Sequence, residues 1–108
     1  MNVVVRGASD NPERRSYKAL QMLRDGGHTV FPVHPKLDVI DGIPVFASLA
    51  DISEPVDTVT LYLSSANSDR IADEILGCSF RRLMVNPGAE NPALEKQLRE
   101  KGVAVVHA

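Results

Sequence analysis

The chain has 108 residues, enough for one compact core and too few for a second independent one. Hydrophobic residues make up 44% of it and aromatics 5%, the balance of an ordinary globular domain, and no apolar run reaches the roughly 20 residues that a membrane-spanning helix needs. A formal net charge of −2 offers no basic stripe for a nucleic acid, and the single cysteine, Cys78, cannot close a disulfide within the chain. The N-terminus, MNVVVRG, has neither the basic nor the apolar region of a signal peptide, so a cytoplasmic protein is expected.

Val3, Val4 and Val5 form a β-branched run suited to a strand buried on both faces. Residues 7–13 are dense in turn formers. A helix is expected from about Ser16, with Ser16 as its cap, Ala19, Leu20 and Leu23 as its apolar stripe and Asp25-Gly26-Gly27 as its end. Thr29–Val33 reads as the second strand, although Pro32 lacks a ladder donor. From His34 to Val56 the prolines at 35, 44 and 55 and the Asp41-Gly42 turn leave room only for a short edge strand at 43–46 and one helical turn at 48–52. Residues 57–63 (DTVTLYL) make the third strand, and 64–76 the second full helix, with Ile71, Ala72, Ile75 and Leu76 on one face. Arg82–Val85 is the fourth strand. Asn91-Pro92 sets a cap residue before a first-turn proline, so a helix runs from 92 to 101 with Leu94 and Leu98 inward, and 103–106 is the last strand.

Apolar strands alternating with amphipathic helices specify an α/β domain. We expect a Rossmann-like, doubly wound parallel sheet of about five strands with helices on both faces, occupying residues 1–108 as a single domain. Such sheets bind ligands beyond the carboxyl ends of their strands, where strand order reverses. The turns that follow the strands therefore hold the candidate site.

The first turn is Gly7-Ala8-Ser9-Asp10-Asn11-Pro12. Gly7 permits a tight turn and the close approach of a ligand. Free backbone N–H groups and the hydroxyls of Ser9 and Ser16 stand beside a helix N-terminus, where the dipole favours phosphate oxygens, and Arg14 and Arg15 add positive charge. Only one glycine is present, so the G-x-G-x-x-G fingerprint is absent, and an Asx turn with a helix cap accounts for the same residues. The second turn is Val33-His34-Pro35-Lys36. A plain NAD site calls for Asp or Glu here, on the ribose 2′-hydroxyl; a lysine suits a ribose bearing a phosphate, as in coenzyme A or NADP. The plainer readings are a solvated Lys36 and a His34 bonded to the backbone. After Leu63, Ser64-Ser65-Ala66-Asn67 supplies good helix caps. The fourth turn, Asn86-Pro87-Gly88, either brings main chain towards a ligand or only turns.

His28, His34 and His107 show no metal-ligand spacing, and no Ser/His/Asp or Cys/His set gathers on the strand ends. Cys78 follows a helix end and reads as an apolar filler; Asp10 and Glu13 read as turn and helix-start residues. Neither a metal site nor catalytic residues are expected.

Four pieces of the sequence carry a family resemblance: VVVRGASDNPERRSY (residues 3–17), HTVFPVHPK (28–36), PVFASLADISEPVD (44–57) and MVNPGAEN (84–91). In this order and spacing the chain resembles the small stand-alone CoA-binding proteins, whose domain is similar to the nucleotide-binding domain of succinyl-CoA synthetase α subunits. It departs from their pattern at His34, where asparagine is frequent, and at Arg15, where proline is common. The resemblance implies a Rossmann-like domain that binds coenzyme A. Adenosine and diphosphate would lie over Gly7, Ala8, Ser9 and the following helix, Pro35 and Lys36 near the adenosine phosphate, and the turn after Leu63 on the path of the pantetheine arm. It carries over no catalytic residue, since the phosphohistidine of the synthetase belongs to another domain.

Ligand contact is thus assigned to Gly7, Ala8, Ser9, Asn11, Pro12, Arg14, Ser16, Tyr17, His34, Pro35, Lys36, Leu63, Ser64, Asn86, Pro87 and Gly88. The expected function is non-catalytic binding of coenzyme A or an acyl-CoA. The alternatives are an NADP- or other nucleotide-binding subunit of an enzyme with a partner chain, and a degenerate Rossmann domain used for protein–protein contact. The expected partner is a small nucleotide-type molecule, with no nucleic acid and no membrane; a homo-oligomer or a partner protein stays open.

Overall fold

The computed structural model describes residues 1–108. Five strands, β1 (Asn2–Arg6), β2 (Thr29–Val33), β5 (Thr58–Leu61), β6 (Arg82–Val85) and β7 (Ala104–His107), form one parallel sheet in the order β2-β1-β5-β6-β7. The chain steps from β1 outward to β2, then returns to the other side of β1 for β5. Strand order therefore reverses between β1 and β5. This is the expected α/β, Rossmann-like parallel sheet.

Alternation along the strands divides the core in two. Val4, Val59, Leu61, Leu83 and Val85 face the side covered by α3 (Ala72–Leu76) and α4 (Pro92–Glu100), where Ile75, Leu94 and Leu98 are fully buried against them. Val5 and Val30 face α1 (Arg15–Asp25) and its buried Leu20. α1 packs on β1 and β2. On the same side of the sheet, the register places Thr58 and Thr60 of β5, Arg82 and Met84 of β6, and Ala104 and Val106 of β7. Arg82 lies across Thr58, donating to its Oγ1 at 3.2 Å, but Ala104 and Val106 are exposed, so the outer half of this face lies open.

Pro32 sits in β2 without harm to the ladder. Its carbonyl points away from β1 and accepts the Phe46 N–H at 2.9 Å, and its nitrogen points the same way. The edge strand expected at 43–46 is instead a two-stranded hairpin, β3 (Val39–Ile40) and β4 (Ile43–Pro44), with Phe46 alone bridging to Val33. Asp41 (φ 49°) and Gly42 (φ 77°) make its two-residue turn, both with positive φ as a tight hairpin requires. The helical turn expected at 48–52 is a 3-10 turn, Leu49–Asp51, capped by the Ser48 hydroxyl on the Ala50 N–H.

Three local expectations are corrected. The third strand stops at Leu61 rather than Leu63: the Tyr62 N–H adds one more bond to Arg6 O, and the chain then turns into the cap at Ser64. The helix expected over 64–76 is two, α2 (Ser65–Arg70) and α3, broken at Ile71 (φ −115°, ψ 17°). The Ser68 hydroxyl donates back to Ser65 O at 3.2 Å inside the helix, a bond that competes with the regular ladder and bends it. Ser16 does not cap α1. The N-cap is Arg14, because the turn is already closed from within: the Ser9 hydroxyl accepts the Asn11 N–H, the Asn11 side chain accepts the Glu13 N–H, and Asn11 O accepts the Arg14 N–H, each at 3.0 Å. Ser16 is buried in the first turn of α1.

Candidate functional site

A cleft of about 1080 Å³ opens at the carboxyl ends of β1 and β5, where strand order reverses. One wall is the first turn and the start of α1. The opposite wall is the exit of β5 together with α2, and His34 and Pro35 close one end.

The first turn can approach β5 so closely only because residue 7 is glycine. Gly7 has φ +96°, and a Cβ on it would lie 3.1 Å from the Tyr62 carbonyl carbon and 3.2 Å from the Leu63 side chain. The glycine is therefore required by the contact between the two strand-end turns. This requirement adds to the tight turn and the ligand approach expected of Gly7 from the sequence, and Gly7 also lines the cleft. The backbone N–H groups of Ala8 and Ser9, and those of Arg15, Ser16 and Tyr17 in the first turn of α1, have no acceptor within the protein. They face a region where the helix dipole adds partial positive charge.

Four arginines line the cleft against one carboxylate, Glu13. Arg14, Arg15 and Arg70 form no ion pair. Arg6 is different: buried at the end of β1, it donates from Nε to Glu74 Oε2 at 2.8 Å, and Glu74 also accepts the Leu49 N–H at 3.3 Å. This pair ties α3 and the 3-10 turn to the floor of the cleft. Burial pushes the Tyr62 hydroxyl above its ordinary range, with Thr60 and the Arg15 charge pulling the other way, so the hydroxyl stays protonated.

Of the residues assigned from sequence, Gly7, Ala8, Ser9, Arg14, Ser16, His34, Pro35, Leu63, Ser64 and Pro87 line the cleft. Asn11, Pro12, Tyr17, Lys36, Asn86 and Gly88 do not. Asn11 is spent on the Asx turn. Tyr17 packs against the small core under α1. Asn86 is buried and braces β6 to β5, donating to Thr60 Oγ1 at 2.7 Å and Leu61 O at 2.9 Å. The Gly88 N–H is taken by the Glu90 carboxylate at 3.1 Å. His34 accepts the N–H groups of Lys36 and Leu37 on Nδ1, at 3.0 and 3.2 Å, which curls the chain and leaves Lys36 exposed beyond the rim.

The cleft also takes in Asn67 of the third turn, and Arg6, Tyr62, Arg70 and Ile71, which no turn-by-turn reading selects. Arg6 had a visible signal, a cation ending an otherwise apolar strand just before the glycine. Arg70 and Ile71 had none, since they reach the site only through the path of α2. No three His, Cys, Asp or Glu side chains converge in an arrangement able to hold a metal ion. Free N–H groups and unpaired guanidinium groups around an open cleft suit a ligand with several phosphate charges.

The chain is 30% identical over 104 residues to the uncharacterized protein YneT of Bacillus subtilis (strain 168), covering 96% of this chain and 77% of that one. The solved structure of cell-free ID.343 from Thermus thermophilus superposes with a TM-score of 0.92 at 30% identity, over 98% of this chain and 81% of that one. A segment of 73 residues, 68% of this chain, is 25% identical to the ADP-forming acetate–CoA ligase of Methanocaldococcus jannaschii, of which it spans only 10%. The CoA binding domain family matches residues 1–108, the whole length of the chain. The chain belongs to that CoA-binding domain family.

Proposed function

We propose that this chain binds coenzyme A, or an acyl-CoA, in the cleft between the first turn and α2, and that it catalyses no reaction on it. The observation that carries the reading is the set of three arginines without carboxylate partners around the free N–H groups of Ala8, Ser9 and the first turn of α1. The diphosphate lies over that turn, Arg14 and Arg15 approach it from α1, and Arg70 approaches it from α2. Lys36, on the exposed loop next to Pro35, reaches the phosphate on the ribose. The similarity to part of an acetate–CoA ligase favours coenzyme A over a nicotinamide dinucleotide. Bound coenzyme A supplies a thiol that carries acyl groups as thioesters; this chain's residues hold and orient it. The cleft is open rather than filled by the chain's own side chains, which argues against a degenerate domain kept for protein contact alone.

Calorimetric titration with coenzyme A, dephospho-CoA, NAD and NADP tests the reading. Coenzyme A is expected to bind most tightly and dephospho-CoA more weakly. Heat only with NADP would transfer the site to an NADP-linked partner system, and silence with all four would remove the ligand assignment. Turnover above background with an acyl-CoA would overturn the non-catalytic part.

A further inference from the structure

Of the four arginines that line the cleft, Arg14, Arg15 and Arg70 are exposed, whereas the Arg6 side chain keeps only 6% of its surface open. The Arg6 guanidinium is fixed along one edge. Nε donates to Glu74 Oε2 at 2.8 Å and Nη2 to Oε1 at 3.4 Å, a two-pronged hold on the carboxylate. The Leu49 N–H donates to the same Oε2 at 3.3 Å, which fixes the carboxylate in turn. The remaining nitrogen, Nη1, has no acceptor in the protein. No buried side-chain nitrogen of the fold lacks a partner, so Nη1 reaches the open cleft that Arg6 lines. A guanidinium this deep is costly unless its charge is compensated, and Glu74 compensates it. A phosphate at Nη1 would be drawn by Arg6 and repelled by Glu74. An uncharged carbonyl oxygen can take the N–H without that repulsion. The β5 and α2 side of the cleft suits such a group: Leu63 and Ile71 are apolar and half-buried, and the side-chain amide of Asn67 is unpartnered.

We propose that Arg6 reads the arm of the coenzyme: its Nη1 donates to an uncharged carbonyl oxygen there, an amide of the pantetheine or the thioester of an acyl group. Glu74 is a positioning residue, which sets the plane of the guanidinium and cancels its charge. This assignment rests on the coenzyme reading above and adds the residue that separates an arm-bearing ligand from a bare nucleotide. The exposed arginines attract any polyanion. Arg6, already paired, adds affinity only for a ligand that carries a carbonyl to the cleft floor. Its two fixed bonds hold the donor in place before the ligand arrives, so little side-chain freedom is lost on binding.

Calorimetry with adenosine 3′,5′-bisphosphate, which has no arm, with coenzyme A and with acetyl-CoA tests the assignment. The ratio of the bisphosphate Kd to the coenzyme Kd measures what the arm contributes. Replacing the pair together, Arg6→Leu with Glu74→Leu, leaves no buried charge alone; it should lower that ratio about tenfold and leave the bisphosphate Kd unchanged. A loss shared by coenzyme A and acetyl-CoA marks an amide carbonyl, and a loss with acetyl-CoA alone marks the thioester. Glu74→Gln keeps an acceptor for Arg6 but removes the cancelling charge, so the bisphosphate should bind more tightly at low salt, a gain that a merely structural pair would not give. An unchanged ratio in the double variant, an equal loss for all three ligands, or no gain with Glu74→Gln would each overturn the assignment. Should the double variant fail to fold, Arg6→Lys decides by the same ratio, because it keeps the ion pair but has a single nitrogen, engaged by Glu74. Wild-type silence with all three ligands would overturn the coenzyme reading itself, whereas wild-type binding with an unchanged ratio in the variants overturns only the role of Arg6.

Discussion

Gly7 shows how much of a site one residue can decide. Its positive φ excludes most side chains, and the 3.1 Å gap to Tyr62 excludes even a methyl group without movement of the β5 exit. Gly7→Ala should therefore cost about 1–3 kcal/mol of stability in urea denaturation. It should also weaken coenzyme binding, because the two walls of the cleft would be pushed apart. The unpaired arginines Arg14, Arg15 and Arg70 act differently, since removing one should leave the fold alone. Arg70→Ala should weaken coenzyme A binding by about 2 kcal/mol in calorimetry, the order of a hydrogen bond to a charged group. Lys36→Ala should cost about 1–2 kcal/mol with coenzyme A and nothing with dephospho-CoA, because only the former has the phosphate assigned to it. Equal losses for both ligands would remove Lys36 from that role.

At the level of elements, the start of α4 is held by side chains rather than by backbone alone. Asn91 accepts the Leu94 N–H, and its own amide donates to Ser68 Oγ and Asp69 Oδ1 of α2, both at 2.8 Å. Glu95, one turn on, reaches back to the Asn91 N–H at 2.8 Å and is also paired with His107 of β7. This resembles a capping box that ties together two helices and the edge strand. Asn91→Ala should cost about 1–2 kcal/mol by chemical denaturation and should loosen α2, the wall that carries Arg70. Burial pushes the Glu95 carboxyl up, but His107, the Asn91 N–H and Arg99 outweigh burial and hold it below the ordinary carboxylate range. The group is thus deprotonated more easily in the folded chain. Its stabilisation is complete above the ordinary carboxylate pKa and is lost as pH falls through the lowered value. Glu95→Gln should be less stable than the wild type at neutral pH, and the gap should close on acidification through that window. A gap that widened with acid would contradict the sign.

Over the whole molecule, charge is segregated. The chain is slightly acidic, yet the cleft gathers Arg14, Arg15 and Arg70 unpaired against Glu13. Such a site should favour polyanions and lose affinity as salt rises, since exposed charges are screened over about 8 Å at physiological ionic strength. A ligand that binds only the folded state stabilises it by mass action. At a hundredfold excess over Kd this is about 2.7 kcal/mol, and for a domain of this size it should raise Tm by roughly 10 °C or more. Thermal melts with coenzyme A at low and high salt check both statements. A shift as large with AMP alone would show that the phosphates beyond the first contribute nothing.

Much of this architecture is written locally. Val3 to Val5, the Asn91-Pro92 cap and the glycines after α1, α3 and α4 reveal their elements because burial alternation, capping and turn conformation depend on near neighbours. The placement of the cleft-lining turns at strand ends follows from the βα alternation alone. Local reading failed where a distant partner intervenes. The helix breaks at Ile71, and the Ser68 hydroxyl at the bend is engaged by Asn91, 23 residues away. Arg6 is buried at the cleft floor because Glu74, 68 residues on, neutralises it. Lys36 lies outside the rim because His34 curls the loop beneath it. The sequence by itself determined most of the elements and the end of the sheet at which the cleft opens. Only the tertiary structure decided which residues meet there, because the strand order that joins the first turn to Tyr62 and α2 is set by packing across the whole sheet.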